Sequence, residues 1–339
     1  MRIAVIHGGA LGDCVLALKA LARLRETYPR ASITGYSRYP VWDYTSLHIK
    51  TKSLEQSGIH KLFVEPAPQV TGRAELVITW LGWKDRIFLE NLRKSSGGKV
   101  ISAPSTPPSD ELIHASDYLL QTLSEKIEVP FFHQKRSFNN YLFVEKEKEQ
   151  KAAEKLIAQL GITDIQRTLA LHVGAGARAK CWSAEKFAEI ARRWRLTGKQ
   201  AFVLKGPADE PSVKELLKGV TLPVLDNPQI SELIYILSKV GAYLGNDSGV
   251  SHLAGASGAP TVALFGPTDH RVWAPLGDNV NVIASPADCA PCARSKWSEC
   301  REDKCMSAIG VEEVWRTLLC ASRMEPICTH SVKRKQFSS

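Results

Sequence analysis

An acid, a hydroxyl and a small residue follow one another at the end of Gly245-Asn246-Asp247-Ser248-Gly249, with His252 three residues further on. The apolar run of residues 240–245 before them has the length of a buried strand, and the short polar residues after it open a helix. Backbone N–H groups at such a helix start have no partner of their own and, with the helix dipole, suit a phosphate. The run Thr261-Val262-Ala263-Leu264-Phe265 repeats the strand and breaks at Gly266-Pro267-Thr268, so Thr268 is a second hydroxyl for the same edge or a plain turn former. Lys180 stands in a loop after Gly174-Ala175-Gly176, where an ammonium reaches a diphosphate as a point charge; a solvated lysine is the alternative. Near the start of the chain, Gly8-Gly9-Ala10-Leu11-Gly12 is a tight loop that delivers Asp13 to the first turn of a helix. An aspartate there is either a helix cap or a general base, and the residues alone leave both readings open. A phosphorylated ligand is the first expectation.

The elements that must position these residues alternate. Strands are expected at residues 3–7, 32–36, 61–64, 76–80 and 99–102, with Val15, Leu18, Leu21 and Leu24 marking the first helix and further helices over 112–126 and about 145–160. The pattern restarts with strands at 168–173, 201–204, 223–225, 242–244 and 261–265, and with a helix capped by Ser183. This predicts an α/β protein of two Rossmann-like doubly wound domains facing a cleft, divided as 1–160 and 161–325 with a basic tail over 326–339.

The chain of 339 residues carries a formal charge of +9, which favours an anionic partner. No homeodomain, zinc-finger or RNA-recognition pattern accompanies that charge, so nucleic acid is not expected. No apolar run reaches membrane-spanning length and no signal peptide is evident, so a cytoplasmic protein is expected. Of eight cysteines, Cys289, Cys292, Cys300 and Cys305 form a C-x2-C start with two more thiols behind, a set able to close a tetrahedral zinc site; a loop carrying free cysteines is the other reading.

Taken in order, Gly9-Ala10-Leu11-Gly12-Asp13, Lys180-Cys181-Trp182, Gly245-Asn246-Asp247-Ser248-Gly249 with His252, and Phe265-Gly266-Pro267-Thr268 resemble glycosyltransferase family 9, the ADP-heptose:lipopolysaccharide heptosyltransferases. The resemblance implies a GT-B fold with the acceptor on the N-terminal domain and the nucleotide sugar on the C-terminal one. It implies inverting transfer of a heptose, or a related sugar, from an ADP-sugar donor to a lipid-linked saccharide of the lipopolysaccharide type, without a catalytic metal or other cofactor. Asp13 would then be the general base and Lys180 the charge partner of the leaving diphosphate. Glu210, Asp247, Ser248, Gly249, His252 and Thr268 would hold the donor, with Glu210 on the ribose and Asp209 its neighbouring competitor. Residues 227–230 are placed to meet the nucleotide base. Acceptor recognition would use basic residues, for which Arg38, Lys84, Arg86 and Arg93 are available. A basic surface also suits peripheral contact with the anionic cytoplasmic face of the inner membrane. A dehydrogenase fits poorly, because residues 8–12 do not match G-x-G-x-x-G and no acid follows the second strand. A sugar-nucleotide epimerase and a non-catalytic nucleotide-sugar-binding protein share the fold and stay as alternatives.

Overall fold

The computed structural model describes residues 1–66, 70–127, 142–292, 297, 300 and 304–322; the expected tail over 326–339 lies outside them. Two separate, wholly parallel sheets organise the chain. The first has the order β3-β2-β1-β4-β5, built from β1 (Arg2–Ile6), β2 (Ser32–Ser37), β3 (Ile49–Ser53), β4 (Leu76–Thr79) and β5 (Lys99–Ser102). The second has the order β11-β10-β9-β6-β7-β8, from β6 (Leu169–His172), β7 (Ala201–Lys205), β8 (Val224–Asp226), β9 (Ala242–Asn246), β10 (Thr261–Phe265) and β11 (Val280–Ala284).

Helices α1 (Leu11–Leu16), α2 (Leu18–Thr27), α3 (Arg86–Ser96) and α4 (Ala115–Ser124) connect or follow the first set of strands. The crossing helix α5 (Glu147–Gln159) precedes the second sheet. Around that sheet lie α6 (Ala184–Leu196), α7 (Glu210–Gly219), α8 (Ile230–Lys239), α9 (Gly249–Ala256), α10 (His270–Trp273), α11 (Lys304–Ser307) and α12 (Val311–Ala321). Strands β4, β6, β9 and β10 are buried along their whole length, as a parallel sheet covered by helices on both faces requires. The order of each sheet reverses between two adjacent strands, β1 and β4 in the first and β6 and β9 in the second. Crevices at the carboxyl ends of such strands are where open α/β sheets take ligands.

The two halves share a core. One apolar cluster runs from Ile3, Val5 and Ile33 through Val15, Leu18 and Leu21 into Leu233, Leu237, Leu253, Phe202 and Tyr243. Helix α5 packs on α8, where the Tyr235 hydroxyl donates to Glu154 at 2.7 Å. At the opposite end of the contact, His114 shares a hydrogen bond of 3.0 Å with the carbonyl of Ala274.

Two expectations fail in detail. Residues 59–63 form a short 3-10 helix rather than a strand, and the place of the third strand is taken by Ile49–Ser53. That strand is an edge, with Lys50 exposed and Lys52 exposed beside a single neighbouring strand, so its apolar signal is thin. Gly35, inside β2, has no room for a side chain, since a Cβ there would lie 2.3 Å from the ring of the fully buried Trp42. Gly35→Ala is therefore expected to cost about 1–3 kcal/mol through overpacking, read from denaturant midpoints; an unchanged midpoint would show that Trp42 can move.

Candidate active site

Asp13 occupies the first turn of α1, directly beyond the carboxyl end of β1. Its Oδ2 accepts the Ala10 N–H at 2.8 Å, so it does cap the helix. The loop beneath it is tied to His7, whose Nδ1 accepts the Gly9 N–H at 3.1 Å. That bond places the imidazole proton on Nε2, which is buried without a hydrogen-bond partner between the rings of Trp42 and Trp80. Burial pulls the His7 pKa down to about 4 against the raising effect of the Asp13 charge, so the ring is neutral near pH 7. Gly9 is obligatory here, because a Cβ would stand 2.5 Å from that of Asp13 and 2.6 Å from His7 Cε1.

On the second sheet, Asp247 follows β9 and gathers two donors on one oxygen. Its Oδ2 accepts from Lys180 Nζ at 2.6 Å and from Thr268 Oγ1 at 2.5 Å. Lys180 Nζ also lies 4.9 Å from the centre of the Trp297 ring. The lysine loop is positioned by the fully buried Asn246, whose Oδ1 accepts the Trp182 N–H at 3.0 Å and whose Nδ2 donates to the Val173 carbonyl at 2.9 Å. Trp182 anchors the loop to the domain, its Nε1 donating to the Ile309 carbonyl at 3.1 Å. Ser248 caps α9 by accepting the Ser251 N–H, leaving the first amides of that helix at the same edge.

Helix α9 brings the two edges together. A Cβ on Gly249 would lie 2.9 Å from Leu11 Cβ and 3.1 Å from the Gly12 nitrogen, and a Cβ on Gly12 would lie 2.9 Å from His252 Cδ2. His252 is buried at this junction with Nδ1 unpartnered. Burial holds its pKa below the ordinary histidine range, while the charges of Asp247 and Asp13 raise it and that of Lys180 lowers it. Three of the expected site residues thus act on one imidazole. Thr268, Ser248 and Gly249 belong to the same cluster.

The two acids at the start of α7 part company. Asp209 is buried, accepting from His172 Nε2 at 3.0 Å and from the Gly206 N–H at 2.8 Å. Glu210 is exposed and paired with Lys205 at 2.7 Å, a cation shared with Asp226. Of the basic candidates, Arg38 follows β2, and Lys84 and Arg86 follow β4, all at the carboxyl edge that carries Asp13; Arg93 sits in the last turn of α3. His7, His172, Asn246 and Trp297 are site neighbours that motif spacing does not single out; a polar residue ending an apolar strand, as in Leu169-Ala170-Leu171-His172, is the one signal available.

The zinc expectation is corrected. Among the described residues no group of three or more His, Cys, Asp and Glu side chains is placed to hold a metal ion. Cys289, Cys292, Cys300 and Cys305 are free thiols. Cys305 is buried against Gly266, the Cys292 N–H is committed to the Pro267 carbonyl at 2.9 Å, and Cys289 and Cys300 are exposed. Burial is the first cause that raises the Cys305 pKa, and Cys289, Cys292 and Cys300 lie near enough to raise it further.

Two parallel α/β sheets that meet along one edge define a fold of GT-B type. The sequence matches glycosyltransferase family 9 (heptosyltransferase) over residues 119–304, more than half of its length, and the chain belongs to that family. It is 31% identical over 107 residues to lipopolysaccharide heptosyltransferase 3 of Escherichia coli K12, a match covering 30% of this chain and 31% of that protein. The curated relatives it matches first are spanned over about a third to a half of their length. The fold superposes on a family 9 glycosyltransferase of Veillonella parvula with TM-score 0.76, 20% identity and coverage of 96% and 98% of the two chains. For E. coli ADP-heptose heptosyltransferase II the values are 0.71, 18%, 96% and 100%.

The junction of α1 and α9 makes Gly249 a sensitive position. Gly249→Ala is expected to displace the Asp13 loop by a fraction of an ångström and to lower kcat/KM by about 10²-fold with little change in Tm. Activity equal to that of the unmodified protein would mean that the two edges need not touch in this way.

Proposed function

We propose that the protein is an inverting glycosyltransferase that moves a heptose, or a related sugar, from an ADP-sugar to a lipid-linked saccharide of the lipopolysaccharide core. The observation that carries this reading is the meeting of Asp13 with the Lys180, Asp247 and Thr268 cluster across the α1 and α9 contact. Donor and acceptor identities come from the family and from the names of the relatives.

The acceptor hydroxyl attacks C1 of the sugar from the side of the first sheet. Asp13 Oδ1 takes the hydroxyl proton as the new C–O bond forms, and the bond from C1 to the diphosphate breaks on the opposite face, which inverts the configuration. The departing charge meets Lys180 and the amides that open α9, a set of fixed positive groups that supplies what a metal ion would otherwise contribute. Asp247 neutralises Lys180 while the site is open, and in the complex it is free to bind a sugar hydroxyl as the ammonium turns toward phosphate. Glu210, outward at the start of α7, holds the ribose, and residues 227–230 face the base. Arg38, Lys84 and Arg86 line the acceptor side at the edge of Asp13. His252 stays neutral beneath both substrates.

Among the described residues no helix is long and apolar enough to cross a membrane. We place the protein in the cytoplasm, meeting its lipid-linked acceptor at the anionic inner-membrane surface through its net positive charge. A sugar-nucleotide epimerase would need an acid and base pair at the sugar carbon, whereas the Asp247 carboxylate is engaged by Lys180 and Thr268.

The test is mass spectrometry of a heptose-free lipopolysaccharide core incubated with ADP-heptose and the protein, with and without EDTA, beside Asp13→Asn. The expected result is a gain of one heptose, unaffected by EDTA and reduced about 10²–10⁴-fold in rate by the substitution. Equal rates in Asp13→Asn would remove Asp13 from the role of base; loss of activity with EDTA would replace the metal-free account of leaving-group stabilisation.

A further inference from the structure

Three strand ends of the second sheet are joined by a buried chain of hydrogen bonds that the transfer mechanism does not use. His172, the last residue of the central strand β6, reaches both neighbours. Its Nε2 meets Asp209 Oδ2, beyond β7, at 3.0 Å, and its Nδ1 meets Ser248 Oγ, beyond β9, at 3.2 Å. All three side chains are buried. The surroundings fix the protons. Asp209 also accepts the Gly206 N–H, and its carboxyl lies below the ordinary range: burial raises it, but the interactions with His172 and with that amide outweigh burial. A carboxylate at Asp209 takes the proton of His172 Nε2, and in that tautomer Nδ1 accepts from the Ser248 hydroxyl. Ser248 then keeps its lone pairs for the Ser251 N–H at the head of α9. The chain continues through Ser251, which donates to the Asn246 carbonyl at 2.5 Å and lies 3.0 Å from the Tyr243 hydroxyl. Gly174 leaves the space Asp209 occupies, since a Cβ there would fall 1.8 Å from its Oδ1.

What this chain connects is informative. Asp209 is bonded directly to Glu210, and Ser248 directly to Asp247 and to the first residue of α9. We propose that His172 is a positioning residue for the nucleotide diphosphate: by holding Asp209 with one ring nitrogen and Ser248 with the other, it fixes the spacing between the loop that carries Glu210 and the amides of α9. The proposal rests on the reading of this edge as the donor site. Asp–His–Ser order here gives no nucleophile, because the Ser248 oxygen is engaged as the helix cap and donates its proton to the ring.

The two ring contacts can be separated. His172→Asn keeps an amide oxygen near the position of Nδ1 and retains the Ser248 link, His172→Gln places an amide donor toward Asp209 and loses Ser248, and His172→Ala loses both. Calorimetric titration of the full chain with ADP, UDP and GDP first identifies which nucleoside diphosphate the unmodified protein binds. For that nucleotide, His172→Ala is expected to weaken binding by about ten-fold or more, with Asn and Gln between it and the unmodified protein. Ser248→Ala should weaken binding in the unmodified background and by less in His172→Ala, where the ring contact is already gone. If His172→Ala does not fold, the Asn and Gln variants carry the comparison. Variants that lose Tm yet bind within two-fold of the unmodified protein would reduce His172 to a stabilising residue and overturn the inference alone. An unmodified protein that binds none of the three nucleotides overturns the donor-site reading and this inference with it.

Discussion

Two glycines set the distance on which the site depends. Gly12 and Gly249 face each other where α1 meets the start of α9, and neither has room for a single added carbon without pressing on Leu11, the Gly12 nitrogen or His252. The apolar cluster that passes from Val15 and Leu18 into Leu253 and Ala254 supplies the adhesion, but the glycines determine how near the backbones come. That nearness puts Asp13, carried by one sheet, and the Lys180 and Asp247 pair, carried by the other, within electrostatic reach of one imidazole, His252. Both halves use the same solution: the reacting groups sit past the carboxyl ends of strands flanking the reversal of strand order, β1 in the first sheet and β6 and β9 in the second.

Charge is balanced tightly in this small volume. Lys180 and Asp247 are both largely removed from water, and such a pair offsets its desolvation only when remaining donors and acceptors are also satisfied. Thr268 takes part of that task on the same carboxylate oxygen, and the Trp297 ring lies against the ammonium. Beside Asp13, burial holds His7 and His252 below the ordinary histidine range.

The parts of this arrangement legible in the sequence are those where one residue type does one local job. Buried central strands such as Thr261–Phe265 announce themselves by continuous apolar runs, and Ser183 marks its helix start by the cap it forms with the Lys186 N–H. Edge strands are weaker signals. Ile49–Ser53 alternates lysines with half-buried residues, and Val280–Ala284 is mostly half-buried, because each has a single neighbour and one side of its ladder is open. Asp13, Lys180, Asp247 and Thr268 stand out through their glycine-rich or strand-ending contexts. His172, Asn246 and His7 do not, since what gives them a task is a partner 76, 64 or 2 residues away whose orientation only the fold supplies. The cysteine spacing does not by itself make a metal site: among the described residues no group of three or more His, Cys, Asp and Glu side chains is placed to hold an ion.

Asp13 illustrates why competing local readings need not exclude each other. A cap and a base both want an aspartate in the first turn of a helix, and the carboxylate has two oxygens with which to serve both. The Ala10 N–H on Oδ2 fixes the orientation of the group. The same logic separates Asp209 from Glu210. Of two adjacent acids at a helix start, one is committed to the buried network that shapes the edge and the other remains exposed and paired with Lys205. Position at the carboxyl edge makes these residues candidates for binding, and the hydrogen bonds already made by each decide which of them has an oxygen left to bind with.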